Sequence, residues 1–210
     1  EISLGLVGSE MCIRDRKETV KVELLKDPEC LMGFSCGEPS IDELIKKAYY
    51  ETLLEKGYTY VAILNNRVIA VYQIAFITLS AEEISEDTND HNWSGNSELR
   101  YGCLLIHYLA VEKTCQHRKI GSTILNGILK EISLLGRKWP VRFIIIDAVN
   151  DLVSWYKSFG FEPIRQMAVE NAGFTTRMYY DCYHHDRAEL ERYEDCLLYT
   201  SDAADDSLRV

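Results

Sequence analysis

The sequence predicts a single domain of the α/β (α+β) class, with about six to seven strands in a sheet flanked by helices. Three observations carry this. Strand-like apolar runs alternate with amphipathic helical stretches along most of the chain. The run at 104–111 passes through a short basic turn, 116–119, into a helical pattern that begins at Ile120. Residues 141–147 are nearly all apolar, as suits a strand buried on both faces.

The elements follow in order. Residues 20–25 read as a first strand. Ser40 with Glu43 has the spacing of a capping box, opening a helix over 41–56 that Gly57 stops. Leu44, Ile45, Ala48, Leu53 and Leu54 recur at spacings that can form one buried stripe. Strands at 58–64 and 68–79 flank Asn65-Asn66, a hairpin turn. Residues 81–100 are polar and acidic and read as a loop. The core strand at 102–111 and a helix from 120 to 134 come next. After the strand at 141–147 come a helix at 151–159 and final strands at 161–165 and 175–182. The order is β-α-β-β-loop-β-α-β-α-β-β, with no internal repeat.

Both ends stand apart from this pattern. Residues 1–16 close on Glu10-Met11-Cys12-Ile13-Arg14-Asp15-Arg16, and 196–210 open on Cys196-Leu197-Leu198-Tyr199-Thr200. Both resemble translated transposon-end adapters of sequencing-library preparation, read in opposite orientations. The first also lacks the basic start and apolar run of a signal peptide. The domain is therefore expected over 17–195, with 1–16 and 196–210 as artefactual tails without a defined place. The whole chain has a net charge of −10; without the tails, 20 Lys+Arg face 27 Asp+Glu, a net −7. That acidic balance argues against nucleic acid as the main partner, since phosphate binding needs a basic stripe. Five cysteines remain (Cys30, Cys36, Cys103, Cys115, Cys182), odd in number and without Cys-x-x-Cys spacing. They read as reduced thiols of a cytoplasmic protein. No apolar run approaches membrane-spanning length.

The turn at 116–119 carries the most chemistry. A strand feeding a helix leaves the first helical N–H groups pointing at whatever lies above the strand's end, and the helix dipole favours an anion there. Arg118 and Lys119 are placed to pair with phosphate; the alternative is a solvated turn. Some thirty residues later comes Trp155-Tyr156-Lys157-Ser158-Phe159-Gly160-Phe161.

Gln116-His117-Arg118-Lys119-Ile120-Gly121 resembles the acetyl-CoA pyrophosphate loop of the GNAT acetyltransferase superfamily, Q/R-x-x-G-x-G/A. Residues 156–161 resemble that family's later Y-x-x-x-G-F block. Lys119 departs from the pattern, standing where the family has its first loop glycine. Phe34-Ser35-Cys36-Gly37-Glu38-Pro39-Ser40-Ile41-Asp42-Glu43 is similar to the start of a branch that includes toxins of bacterial toxin–antitoxin pairs. Leu109-Ala110-Val111 and Phe159-Gly160-Phe161 repeat that similarity. The resemblance implies the GNAT fold, with a mixed, mostly antiparallel central sheet, and acetyl-CoA as acetyl donor with no metal. Toxins of this branch acetylate the amino group of aminoacyl-tRNA.

The resemblance also implies roles. Tyr156 would sit beside the CoA sulfur and protonate the leaving thiolate, its phenol pKa of ~10 being close to that of an alkyl thiol. The alternative is an aromatic core residue. His107, in an otherwise apolar strand, is the candidate base; the alternative is a half-buried structural histidine. The backbone of Leu109, Ala110 and Val111 would pair with the pantetheine arm like an added strand and supply the oxyanion donor. Gln116, His117, Arg118, Lys119, Ile120, Gly121 and Ser122 would form the pyrophosphate loop. Asn150 would cap the helix carrying Tyr156, or contact the cofactor. His184-His185 reads as a surface tail, since no Cys/His cluster partners it.

Three functions follow. The first is acetyl transfer to an amine of a small molecule, peptide or protein, with the acidic 81–100 segment suited to a cationic acceptor. The second is a toxin-type enzyme acting on aminoacyl-tRNA and neutralised by an antitoxin. The third is a non-catalytic acyl-CoA-binding domain, hinted at only by Lys119. The residues favour the first over the second. The resemblance leaves a homodimer open.

Overall fold

Asn65 and Asn66 both take left-handed backbone (φ 51° and 60°), the pair of positive values that a two-residue hairpin needs. They join β3 (Tyr58–Leu64) to β4 (Arg67–Ser80) where the sequence places a turn. The structure is a computed structural model. It describes residues 10–12, 19–84, 100–136, 138–169 and 173–182, with 188 and 192 singly. The other strands are β1 (Glu10–Cys12), β2 (Thr19–Leu24), β5 (Arg100–Val111), β6 (Val141–Val149), β7 (Glu162–Val169) and β8 (Gly173–Asp181). They form one sheet in the order β1-β2-β3-β4-β5-β6-β8-β7. Every neighbouring pair is antiparallel except β5 and β6, which are parallel and joined by the crossover helix α3 (Ile120–Gly136).

Alternation along the strands gives the sheet two buried faces. Ile120, Ile124, Leu125, Ile128 and Ile132 of α3 cover one, packing with Tyr60, Ala62, Ala70, Tyr72, Ile144 and Ile146. Tyr156 of α4 (Val153–Lys157) joins them. On the other face, Ile45 and Ala48 of α1 (Pro39–Leu53) meet Val61, Val71, Tyr108 and Ala110. Further along that face, Ile84 of α2 (Ala81–Ile84) meets Leu79, Phe143 and Ile145. Burial on both sides accounts for the apolar reading of β6. Cys103, Cys115 and Cys182 are buried free thiols, and Cys30 and Cys36 are free as well. Burial raises Cys103 to about 11 and Cys182 to about 12, so neither is a ready nucleophile. Among the described residues no helix is long and apolar enough to cross a membrane.

Several local expectations change. The helix over 41–56 is Pro39–Leu53, and Ser40 and Glu43 form no capping box. Glu38 occupies the N-cap position, Ser40 Oγ donates to its carboxylate, and Glu43 pairs with Lys46. Asp42 reaches back instead, accepting the Ser35 hydroxyl (2.6 Å) and the Cys36 N–H (2.9 Å). Leu53 and Leu54 are 63% and 47% exposed, outside the buried stripe. The helix stops at Glu55 (φ 56°): Lys56 N–H donates to Glu51 O and Glu55 N–H to Thr52 O, a Schellman motif without glycine. Gly57 lies against the side chain of Gln73 and the carbonyl of Ile74, at 3.2 Å from where a Cβ would stand. The 81–100 loop opens with helix α2, whose capping box is formed by Ser80 and Glu83. Arg100 begins β5, while residues 85–99 of that segment, His184-His185, and all of both tails except Glu10–Cys12 lie outside the described residues. Those three residues pair antiparallel with β2.

Candidate active site

The parallel pairing of β5 with β6 stops early. It runs from Gly102↔Val141 to Ile106↔Ile146, yet β5 continues to Val111 and β6 to Val149. Each stays paired on its outer side, through Val111↔Ala70 and Val149↔Thr175. Beyond Ile106 and Ile146 the two strands therefore diverge, leaving the inner edges of 107–111 and 147–149 without a strand partner among the described residues. A bulge supplies the bend. Gln73 opposes Tyr108 and Ile74 opposes Ile106, so His107 is an extra residue on β5. Unpaired backbone inside a fold is costly, and an extended polar chain entering the gap would satisfy it.

The loop after β5 is held from several sides. Glu112, 6% exposed, accepts from the Thr114 hydroxyl and N–H and from Arg67 at 3.0 Å. The Thr114 hydroxyl, first among these, holds the Glu112 carboxyl below its usual range. Gln116 Nε2 donates to Cys36 O (2.7 Å) and Val111 O (3.1 Å), and Lys113 N–H donates to Ser35 O (2.9 Å). The 34–43 motif is thereby stitched to this loop. Gln116 positions the loop; its amide nitrogen is engaged with protein carbonyls.

Left-handed backbone then recurs at His117 (φ 59°) and Lys119 (φ 62°), on either side of Arg118. Alternation of this kind turns successive N–H groups towards one side, a concavity suited to an anion. Lys119 thus takes the left-handed conformation that glycine adopts without steric cost. For a residue with a side chain this costs about 1–2 kcal/mol. Its carbonyl accepts the first helical bond, from Thr123 N–H at 3.0 Å. The N–H groups of Ile120, Gly121 and Ser122 consequently have no acceptor within α3. Ile120 is buried (4% exposed) and anchors the helix start, while His117, Arg118 and Lys119 are exposed. A Cβ on Gly121 would stand 3.5 Å from Val111 and 3.8 Å from Trp155. Helix start, end of β5 and α4 therefore meet beside the split.

The Tyr156 ring is 4% exposed, edge-on to Trp155 (4.7 Å) and Phe161 (5.7 Å). Its body is thus a core residue, as the structural alternative expects. Burial pushes the phenol well above its ordinary range, so it stays protonated. No described residue hydrogen-bonds its hydroxyl. The helix expected at 151–159 is a tight turn, Asn150–Leu152, followed by the short α4. Asn150 caps neither: its Oδ1 accepts from the Thr176 hydroxyl at 3.4 Å. Gly160 (φ 91°) lets the chain reverse, and a Cβ there would stand 3.3 Å from the Tyr180 ring. His107 is half-buried at the head of the split, with Nδ1 2.7 Å from Gln73 Oε1. Leu109 and Val111 lean on the α3 side and Ala110 on the α1 side. Sequence reading missed Gln73, a lone amide inside an apolar strand. Its one signal was that polarity. Among the described residues no three His, Cys, Asp or Glu side chains gather to hold a metal.

No family model matches this sequence, and no curated protein is similar to it in sequence. Solved structures match over most of the chain. A bacterial toxin is 16% identical with a TM-score of 0.64, covering 80% of this chain and 98% of its own. A Tyr-to-Phe mutant of KacT is 14% identical at TM-score 0.62, covering 78% and 95%. AtaT complexed with acetyl-methionyl-tRNAfMet is 16% identical at TM-score 0.58, covering 75% and 93%. A further AtaT toxin structure holds acetyl-CoA and the C-terminus of the antitoxin AtaR. This chain has the GNAT fold, in the form that AtaT and KacT also have.

Proposed function

We propose that the protein is an N-acetyltransferase that passes the acetyl group of acetyl-CoA directly to a primary amine, with aminoacyl-tRNA as the acceptor. The observation that carries the transfer reaction is the split between β5 and β6, bordered by an anion-binding loop. The unpaired edge at 107–111 suits the amides of a pantetheine arm. The free N–H groups of residues 120–122, with Arg118 and Lys119 beside them, suit a pyrophosphate. Lys119 keeps the glycine-like backbone, so the sequence hint of a non-catalytic acyl-CoA binder loses its force. In the transfer, the amine nitrogen bonds to the thioester carbon and the carbon–sulfur bond breaks. His107 takes the proton from the amine, and Tyr156, kept protonated by burial, gives one to the departing sulfur. Backbone N–H groups around Leu109 to Val111 are the oxyanion donors.

The neighbours support this acceptor. The sequence favoured a small-molecule, peptide or protein amine; the likeness to AtaT bound to an acetylated aminoacyl-tRNA reverses that order. A small antitoxin partner and a cytoplasmic site of action belong to the same reading. A second reading, a small cationic amine, is favoured by the net charge of −10, which opposes phosphate-rich partners.

Calorimetric titration of the full chain with acetyl-CoA, and with CoA lacking the 3′-phosphate, tests the donor site. Saturable acetyl-CoA binding that Arg118→Ala weakens is expected; no binding at millimolar acetyl-CoA would overturn the enzyme reading. Acetylation is then assayed on charged tRNA and on polyamines. Transfer to charged tRNA, lost in Tyr156→Phe, is expected, whereas transfer to polyamines alone would replace the first acceptor by the second.

A further inference from the structure

We infer that Gln73 is a positioning residue that holds His107 as its Nδ1–H tautomer and leaves Nε2 as the bare nitrogen at the strand split. The role of that nitrogen in transfer rests on the acetyltransferase reading above; the tautomer does not.

Gln73 is 2% exposed and lies on the α1 side of β4. Its Nε2 is 3.1 Å from Thr59 Oγ1 and 3.2 Å from Glu51 Oε2, and its Oε1 is 2.7 Å from His107 Nδ1. The carboxylate of Glu51 can only accept, so the amide nitrogen must face it. The amide oxygen then faces His107, and because that oxygen can only accept, Nδ1 must donate. A neutral imidazole carries one ring proton. With that proton on Nδ1, Nε2 has a free lone pair. Thr59, fully buried, accepts from Gln73 and keeps its own proton for Ala48 O or the Tyr108 hydroxyl, both at 3.4 Å. Every member of the chain Glu51–Gln73–His107 is thus satisfied in one orientation only.

The bulge gives this orientation a purpose. His107 is the extra residue opposite Gln73 and the first residue past the last β5–β6 pair. A histidine needed only for packing would not require a buried amide and a carboxylate behind it, because burying an amide is unfavourable unless every bond is made.

Long-range proton–nitrogen correlation NMR on the 15N-histidine-labelled full chain above neutral pH reads the tautomer, with His107→Gln assigning the signal. The expected result is a protonated Nδ1 and a bare Nε2. Gln73→Met, similar in volume but unable to accept, is expected to move His107 towards the Nε2–H form. It should also lower kcat roughly tenfold or more, within the range a general base supplies, while acetyl-CoA affinity holds. The exchanged pair Glu51→Gln with Gln73→Glu restores an acceptor at Nδ1 and is expected to return the tautomer and most of kcat. A protonated Nε2 in the unsubstituted protein, or a tautomer indifferent to Gln73→Met, would overturn the inference. So would a shifted tautomer with unchanged kcat. Absence of acetyl transfer in the unsubstituted protein instead overturns the acetyltransferase reading, and the NMR result still decides the tautomer.

Discussion

Lys119 shows how a single position can depart from a pattern without changing what the pattern builds. In the resemblance it stands where a glycine is found; in the structure it takes left-handed backbone (φ 62°), which glycine adopts without steric cost. The surroundings outweigh the local preference, with Thr123 bonded to its carbonyl and Ile120 buried next to it. Lys119→Gly is therefore expected to stabilise the fold by about 1 kcal/mol, since it removes the steric cost of positive φ. A denaturant midpoint moving upward at unchanged m-value checks this. Tyr156 stood out in the sequence through a short motif and His107 through its polarity in an otherwise apolar strand. The significance of Gln73 was not legible, because it lies in Glu51, Thr59 and His107, which are distant in sequence and meet only across three elements.

At the scale of elements, helix ends separate what spacing can say from what it cannot. Ser40 with Glu43 and Ser80 with Glu83 have the same Ser-x-x-Glu spacing, yet only the second pair forms a capping box. Pro39 accounts for the difference. It is well suited to the first helical position, so α1 begins there and Ser40 is already inside the helix, unable to cap it. Ser80 is the last residue of β4, still extended, which is the conformation an N-cap needs. The C-terminus of α1 has a similar lesson. Gly57 signals a stop, but the chain leaves the helix at Glu55, with φ 56° in a Schellman motif. Glycine is the favoured residue there, so Glu55→Gly is expected to gain about 0.5–1 kcal/mol. Thermal unfolding should show this as a rise of a few degrees.

For the whole molecule, the consequence of the split is an incomplete sheet. The β5 amides between His107 and Val111 that face β6 have no strand acceptor among the described residues, while those facing β4 are paired. Hydrogen exchange of the protein alone should show the inner amides exchanging much faster than those of 102–106. Acetyl-CoA is expected to slow them towards the rate of the paired strand; unchanged exchange at saturating acetyl-CoA would mean that the gap is not where the donor lies. The same scale marks the division between sequence and structure. By itself the sequence determined the class of fold, the order of its elements and the loop before α3. Those follow from periodicity, turn residues and short motifs, all of them local. Tertiary structure alone decided that β5 and β6 part after Ile106, that His107 is the bulged residue at that point, and that Gln73 stands behind it. Those depend on strand register and on contacts between distant segments, which no local spacing encodes.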